Sequence, residues 1–172
     1  VWKRNGDLIG GPAYVHGLAG AGLTFDGLDD RVSLPAAALD GAGDFSVEVS
    51  VDLDGTQTEP TFLSSVNAAG VDALQMRHNQ PTSKMHMALN NPGSYHEIDV
   101  SVGDWHAVGA TRFQGAVSLF HDGVTIDASI DDASVLEVAA GGLQIGTEQD
   151  SPGGDFQVQQ WWQGEIDEVR VM

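Results

Sequence analysis

From Phe45 to Leu53 the chain reads FSVEVSVDL. Phe45, Val47, Val49, Val51 and Leu53 fall on one side of a two-residue period; Ser46, Glu48, Ser50 and Asp52 fall on the other. Successive side chains of a strand point to opposite faces, so this pattern is a strand with one face in a core. WHAVGATRFQGAVSLFHDGVTIDASI, residues 105–130, repeats the theme as two hairpins turning at Gln114-Gly115 and Asp122-Gly123. LTF, DGLDD and RVSLP read as a further hairpin around an Asp-Gly turn, and LQIG and GEIDEVRV as the closing strands. PAAALDGAG supports one helical turn, and no segment has a helical period with caps. Neither a repeat nor a linker interrupts the chain, so residues 1–172 are expected to form one domain, a piece of a longer polypeptide. Many short alternating strands at this length predict an all-β fold, a two-sheet antiparallel β-sandwich.

Charge changes the picture. The 172 residues carry 25 acidic and 7 basic side chains, for a formal net charge of -18, and the only lysines are Lys3 and Lys84. An excess of small hydrated carboxylates suits concentrated salt, where screening removes self-repulsion, so a halophilic source is expected. The competing reading is an acidic module that collects divalent cations. Either way nucleic acid and anionic membrane surfaces are excluded as partners, because phosphates are repelled. The absence of cysteine excludes disulfides and thiolate chemistry. No apolar run reaches the length of a membrane span, so no membrane insertion is expected.

The densest chemistry lies in GTEQDSPGGDF, residues 146–156. Glu148 and Asp150 stand two residues apart, and carboxylates that close repel one another. A plain connecting turn needs only the Gly-Gly pair and one Asp. The surplus acids therefore ask for a cation among them.

GLTFDGLDDRVSLP, DFSVEVSVDL, WHAVGATRFQGAVSLFHDG and GEIDEVRV resemble successive strands of laminin G-like jelly-roll domains, of the concanavalin A-like lectin and glucanase superfamily. LQIGTEQDSPGGDFQVQQWWQGEI is similar to the calcium-site segment of pentraxins. That resemblance implies a jelly roll and two calcium ions held side by side. Glu148 and Asp150 would bridge both ions, Gln149 would give its backbone carbonyl, and Gln160 its side-chain amide oxygen. Asp72, in SSVNAAGVDALQM, would supply a further carboxylate. Calcium takes six to eight hard oxygens, which these groups offer. The sequence departs from the pentraxin pattern at Ala73, where an Asn is expected; at Glu48 and Val108, where the disulfide would be; and in LQMRHN and KMHMAL, which lack the aromatic residues of the ligand pocket.

Other groups invite less. Asp26, Asp29 and Asp30 form either a second cation site or ordinary turn chemistry, the latter preferred. His78, His86 and His96 are a minor zinc candidate. His106, beside Trp105, reads as strand packing. Trp161 and Trp162 are expected on opposite faces of a strand, one in the core and the other covering the sheet or stacking on a sugar.

EIDE is similar to the catalytic strand of laminarinase-type glucanases, which carry acids at i, i+2 and i+4, or i+5 across a bulge. Glu165 and Asp167 share a face; Glu168 points away and Val169 holds i+4. Retaining hydrolysis needs two carboxylates about 5–5.5 Å apart on one face, so the chain is not expected to be an enzyme. No Ser-His-Asp order stands out. The leading expectation is an extracellular or cell-surface module that binds a carbohydrate or anionic ligand through calcium. The alternatives are a structural domain stapled by calcium and a degenerate glucanase. Finally, VWKR is short for the strand expected beside GEIDEVRV, so either a neighbouring chain supplies a strand at that sheet edge or VWKR pairs there by itself and the edge is simply short.

Overall fold

A computed structural model describes residues 6–90, 95–131 and 134–172. The strands in chain order are β1 (Asp7–Ile9), β2 (Ala13–Gly17), β3 (Gly20–Asp26), β4 (Arg31–Ser33), β5 (Phe45–Leu53), β6 (Thr61–Val66) and β7 (Asp72–Asn79). They continue with β8 (Lys84–Leu89), β9 (Tyr95–Asp99), β10 (Trp105–Phe113), β11 (Ala116–His121), β12 (Val124–Asp131), β13 (Leu143–Ile145) and β14 (Gln163–Val171). Among the described residues they form two antiparallel sheets, in the orders β1-β4-β13-β6-β7-β8-β9 and β12-β11-β10-β5-β14-β3-β2. This is the expected all-β sandwich.

The core lies between the sheets, where period-two alternation delivers it. Phe45, Val47, Val49, Val51 and Leu53 of β5 are at most 5% exposed. They meet Leu74, Met76, Met85, Met87 and Leu89 from β7 and β8. Each such buried aliphatic side chain contributes about 1.5–3 kcal/mol relative to leaving it in water.

Both expected hairpins of residues 105–130 form. Phe113 pairs with Ala116, and His121 with Val124. Their turn residues all have positive φ, at 51° and 90° for Gln114-Gly115 and 48° and 80° for Asp122-Gly123. Such backbone twist matches that of the flanking strands. PAAALDGAG gives one 3₁₀ turn, Ala36–Ala38.

The expected hairpin through FDGLDD is not one. β3 lies in the second sheet beside β14, whereas β4 lies in the first beside β1 and β13. The acidic segment is a crossover between sheets. Asp26 Oδ1 accepts the N–H groups of Leu28 and Asp29, and Asp30 Oδ2 accepts that of Asp26 at 3.0 Å. The carboxylates of Asp26 and Asp30 thus act as turn residues.

Two further features frame the site. On the outer face of the first sheet, Ser33, Gln144, Ser64 and Gln75 stand in one cross-strand row. Gln144, Ser64 and Gln75 are at most 5% exposed, so something covers that face. In the second sheet, β14 pairs with β3 only through Gln163–Ile166, then runs on to Val171 beside β5. An apolar hollow of about 480 Å³, lined by Leu34, Ala38, Ile145, Val169 and Val171 among others, borders this stretch. Val1 to Arg4, on which the expectation of a borrowed strand rests, lie outside the described residues.

Candidate cation site

Residues 147–161 meet the polar row at Ser64. The neck of the segment is closed where Trp162 N–H donates to Gly146 C=O at 2.9 Å, and Gly146 N–H donates to Phe62 C=O at 3.2 Å. Ser64 Oγ donates to Thr147 C=O at 2.9 Å. Compact loops with adjoining ends and their own internal packing are frequent carriers of function. Inside this one, Gln149 Oε1 accepts Gly153 N–H at 2.7 Å, and Gly153 takes φ 72°, which lets the chain reverse. On its flank, Phe156 packs on Trp161 with centroids 5.2 Å apart, and the Arg31 guanidinium lies over Phe156 at 4.5 Å. Such a contact fixes the loop to β4.

The expected ligands fall into distinct environments. Glu148 is 3% exposed, and its Oε2 has no hydrogen-bond partner among the described residues. Gln160 is 7% exposed, with its Oε1 in the same condition. Two buried hard oxygens, both acceptors, fit a hard cation, because such atoms are costly to bury unpaired. Asp150 is exposed and accepts Gln157 Nε2–H at 2.7 Å. Gln149 is fully buried, its amide committed to the loop, so any contribution to an ion falls to its backbone. Asp72 opens β7. Asn67 staples the preceding turn, its Oδ1 accepting the N–H groups of Ala69 and Val71. Ala73, where an Asn is expected, is buried at 3% exposure.

Electrostatics ties three of these acids together. Burial first, then the charges of Asp72 and Asp150, push the Glu148 carboxyl from 4.5 up to about 7; the Gln149 N–H and Arg77 pull the other way. A carboxyl so placed is uncomfortable as a bare anion and is relieved by a cation. Glu148, Asp150 and Asp72 do not, however, close to within 4.8 Å of one another as potential ligands. Among the described residues two groups do: Asp26, Asp29 and Asp30, and His106, His121 and Asp122.

Three expectations need correction. Trp161 and Trp162 precede β14 rather than occupying a strand, and both are buried, at 6% and 1%. Trp162 meets Phe62 edge to face in the core, and Trp161 is covered by Phe156, so neither offers a sugar-stacking face. His78 pairs with Met85 and His86 with Arg77, which puts the two histidines on opposite faces of the first sheet; the side chain of His96 lies outside the described residues. And a Ser-His-Asp chain does exist: Ser101 before β10, His106 on it and Asp122 in the turn after β11 are joined by hydrogen bonds of 2.9 and 2.8 Å.

The EIDE strand has the bulge that glucanases use. Asp167 pairs with Ser50 and Arg170 with Glu48, so one extra residue intervenes, and Glu168 takes φ 51°. That register brings i+5 onto the face of Glu165 and Asp167. Arg170 stands there, paired with Glu48 and Glu168.

The chain belongs to the concanavalin A-like lectin/glucanases superfamily, whose laminin G-type model matches residues 25–172. Among curated protein sequences none matches it. A heptameric SAP-like pentraxin from Limulus polyphemus shares the fold at TM-score 0.60 and 18% identity, over 77% of this chain and 65% of the pentraxin. Domain 4 of AbnA, an extracellular arabinanase of Geobacillus stearothermophilus solved with arabinotriose, aligns at TM-score 0.65 and 18% identity, over 94% and 75%. A Trypanosoma rangeli sialidase mutant displaying trans-sialidase activity aligns at 0.66 and 13%, over 93% of this chain and 27% of the enzyme. At these identities the likeness is one of fold. The chain spans less than two thirds of the pentraxin and about a quarter of the sialidase.

Proposed function

We propose that this domain is an extracellular recognition and adhesion module that binds a carbohydrate or an anionic group through calcium held in the 147–161 loop. The observation that carries this reading is Glu148, a buried carboxylate with an unpartnered oxygen, flanked by the charges of Asp72 and Asp150. Glu148, Asp150, Asp72, the Gln149 carbonyl and Gln160 Oε1 are the oxygens that would hold the calcium. Calcium held there would supply further coordination positions for the hydroxyls or the anionic group of the ligand. The arabinotriose complex of the arabinanase domain lends support from the same fold. The hydrolase alternative is weakened by Arg170 at the position where a second acid is needed.

A structural role for calcium is the second reading, favoured by how deeply the loop is anchored on the outer face of the first sheet. One experiment separates the two. Calorimetric calcium titration is followed by a glycan array with calcium and with chelator. The recognition module binds two calcium equivalents and loses its glycan signal in chelator. The staple binds calcium and raises the melting point with no glycan signal. The double variant Glu148→Gln/Asp150→Asn stays folded and loses calcium binding; unchanged stoichiometry in it overturns both readings.

A further inference from the structure

The inner face of the second sheet ends in a cluster that the calcium loop does not use. His106 on β10 and His121 at the end of β11 face inward, because Val108 and Val51, their cross-strand partners, are core residues. Asp122 follows in the turn. His106 Nδ1 lies 2.8 Å from Asp122 Oδ2. His121 Nε2 lies 3.0 Å from that same oxygen and 3.0 Å from His106 Nδ1. Three ligand atoms thus form a nearly equilateral triangle.

Protons serve this triangle poorly. Two N–H groups donating to one carboxylate oxygen stand against each other at 3.0 Å. With the nitrogens bare, three lone pairs converge. A single cation serves all three at once. Ligands about 2.0–2.1 Å from a metal and at right angles to one another are themselves separated by about 2.9 Å, so the triangle has the edge length of one octahedral face. The geometry points to a binding site for a divalent first-row transition metal, one that zinc can probe, formed by His106, His121 and Asp122.

The surroundings are those of a built site. Asp122 Oδ1 is held by Ala107 N–H at 2.9 Å, which aims Oδ2 at the histidines. His106 Nε2 lies 2.9 Å from Ser101 Oγ, so a ring that gives Nδ1 to an ion would have the serine as acceptor for its outer N–H. Metal-bound histidines carry such a partner on the far nitrogen almost without exception. Two neutral imidazoles and one carboxylate suit zinc better than calcium, which prefers oxygen. Asp104 lies with His106 in the lining of one hollow, adding negative charge nearby. Asp122 is 47% exposed and His121 24%, so an ion reaches the site from solvent and keeps open positions for water or a ligand.

Read instead as a catalytic triad, Ser101, His106 and Asp122 leave His121 without a role. Gly103 N–H, two residues after Ser101, is already committed to Leu53 C=O at 3.0 Å.

The test uses the full chain stripped with chelator and titrated with zinc against a chromophoric competitor, in millimolar calcium. One equivalent binds, and cobalt in place of zinc gives a ligand-field band. His106→Gln and His121→Gln each weaken zinc at least tenfold and remove the cobalt band, while their zinc-free melting points stay near that of the parent. Ser101→Ala weakens zinc by a smaller factor. Zinc affinity unaltered by His121→Gln, or zinc displaced by millimolar calcium, overturns the assignment. Should the histidine variants unfold, proton NMR of the cobalt form of the parent decides: absence of paramagnetically shifted imidazole ring protons is equally fatal.

Discussion

Glu148 is the residue on which most of the proposed chemistry turns, and its titration has a definite sign. In the unfolded chain its carboxyl titrates near 4.5, and in the native calcium-free protein near about 7. The native state therefore holds this proton more tightly. The stability it contributes is complete below about pH 4.5 and is lost as pH rises through about 7. His78 and His86 act oppositely, because burial lowers both. Their contribution is present above the ordinary histidine value of 6.5 and falls as pH drops. Melting curves of parent and Glu148→Gln between about pH 5 and 8 isolate the glutamate: the calcium-free parent loses stability relative to the variant as pH rises. A constant difference across that range overturns the assignment. Calcium must displace the same proton, so its affinity falls by up to about tenfold per pH unit below 7.

At the scale of elements, two turns with similar backbone separate the site from the scaffold. Gly70 has φ 76°, and a Cβ there would sit 2.3 Å from the carbonyl oxygen of Asp150. Gly123 has φ 80° with nothing within 4 Å. Gly123→Ala costs about 1 kcal/mol and leaves calcium binding intact. Gly70→Ala costs about 1–3 kcal/mol and also lifts the 67–71 turn off the loop, weakening calcium severalfold. Equal effects of the two on calcium affinity would contradict the contact. The same elements mark what a sequence can tell. β5 and the 105–130 hairpins were legible because alternation and turn chemistry are local. FDGLDD was misread because an Asp-Gly turn looks the same whether it joins neighbours or crosses between sheets; the choice is made by β1, β13 and β14, far along the chain. The acids of the loop were legible as an oddity of composition. The row Ser33, Gln144, Ser64 and Gln75 was not, since only pairing among four strands assembles it. His121 beside His106 had a usable signal: a two-residue turn at Gln114-Gly115 fixes Val108 opposite His121, two residues from His106.

For the whole molecule, the charge of -18 sets the response to salt. Raising sodium chloride from millimolar to molar lifts the melting point of the calcium-free parent, and by a somewhat smaller increment that of Glu148→Gln/Asp150→Asn, which has two fewer acids to screen. At fixed high salt, calcium at a hundredfold excess over Kd adds about 2.7 kcal/mol to the parent alone. If magnesium matches calcium, the loop has no selectivity and the increment is screening. The position of that loop also has a mechanical side. It follows β13, held between β4 and β6, and leads into β14, held between β3 and β5, so it is a tether from one sheet to the other. Under load an unclasped tether of residues 147–161 pays out to about 50 Å, whereas one cross-linked by cations stays short. Pulling single molecules apart between the sheets should reveal a lengthening step of that size in chelator that calcium delays to higher force. A domain of this build would hold its grip on a surface only where calcium is plentiful.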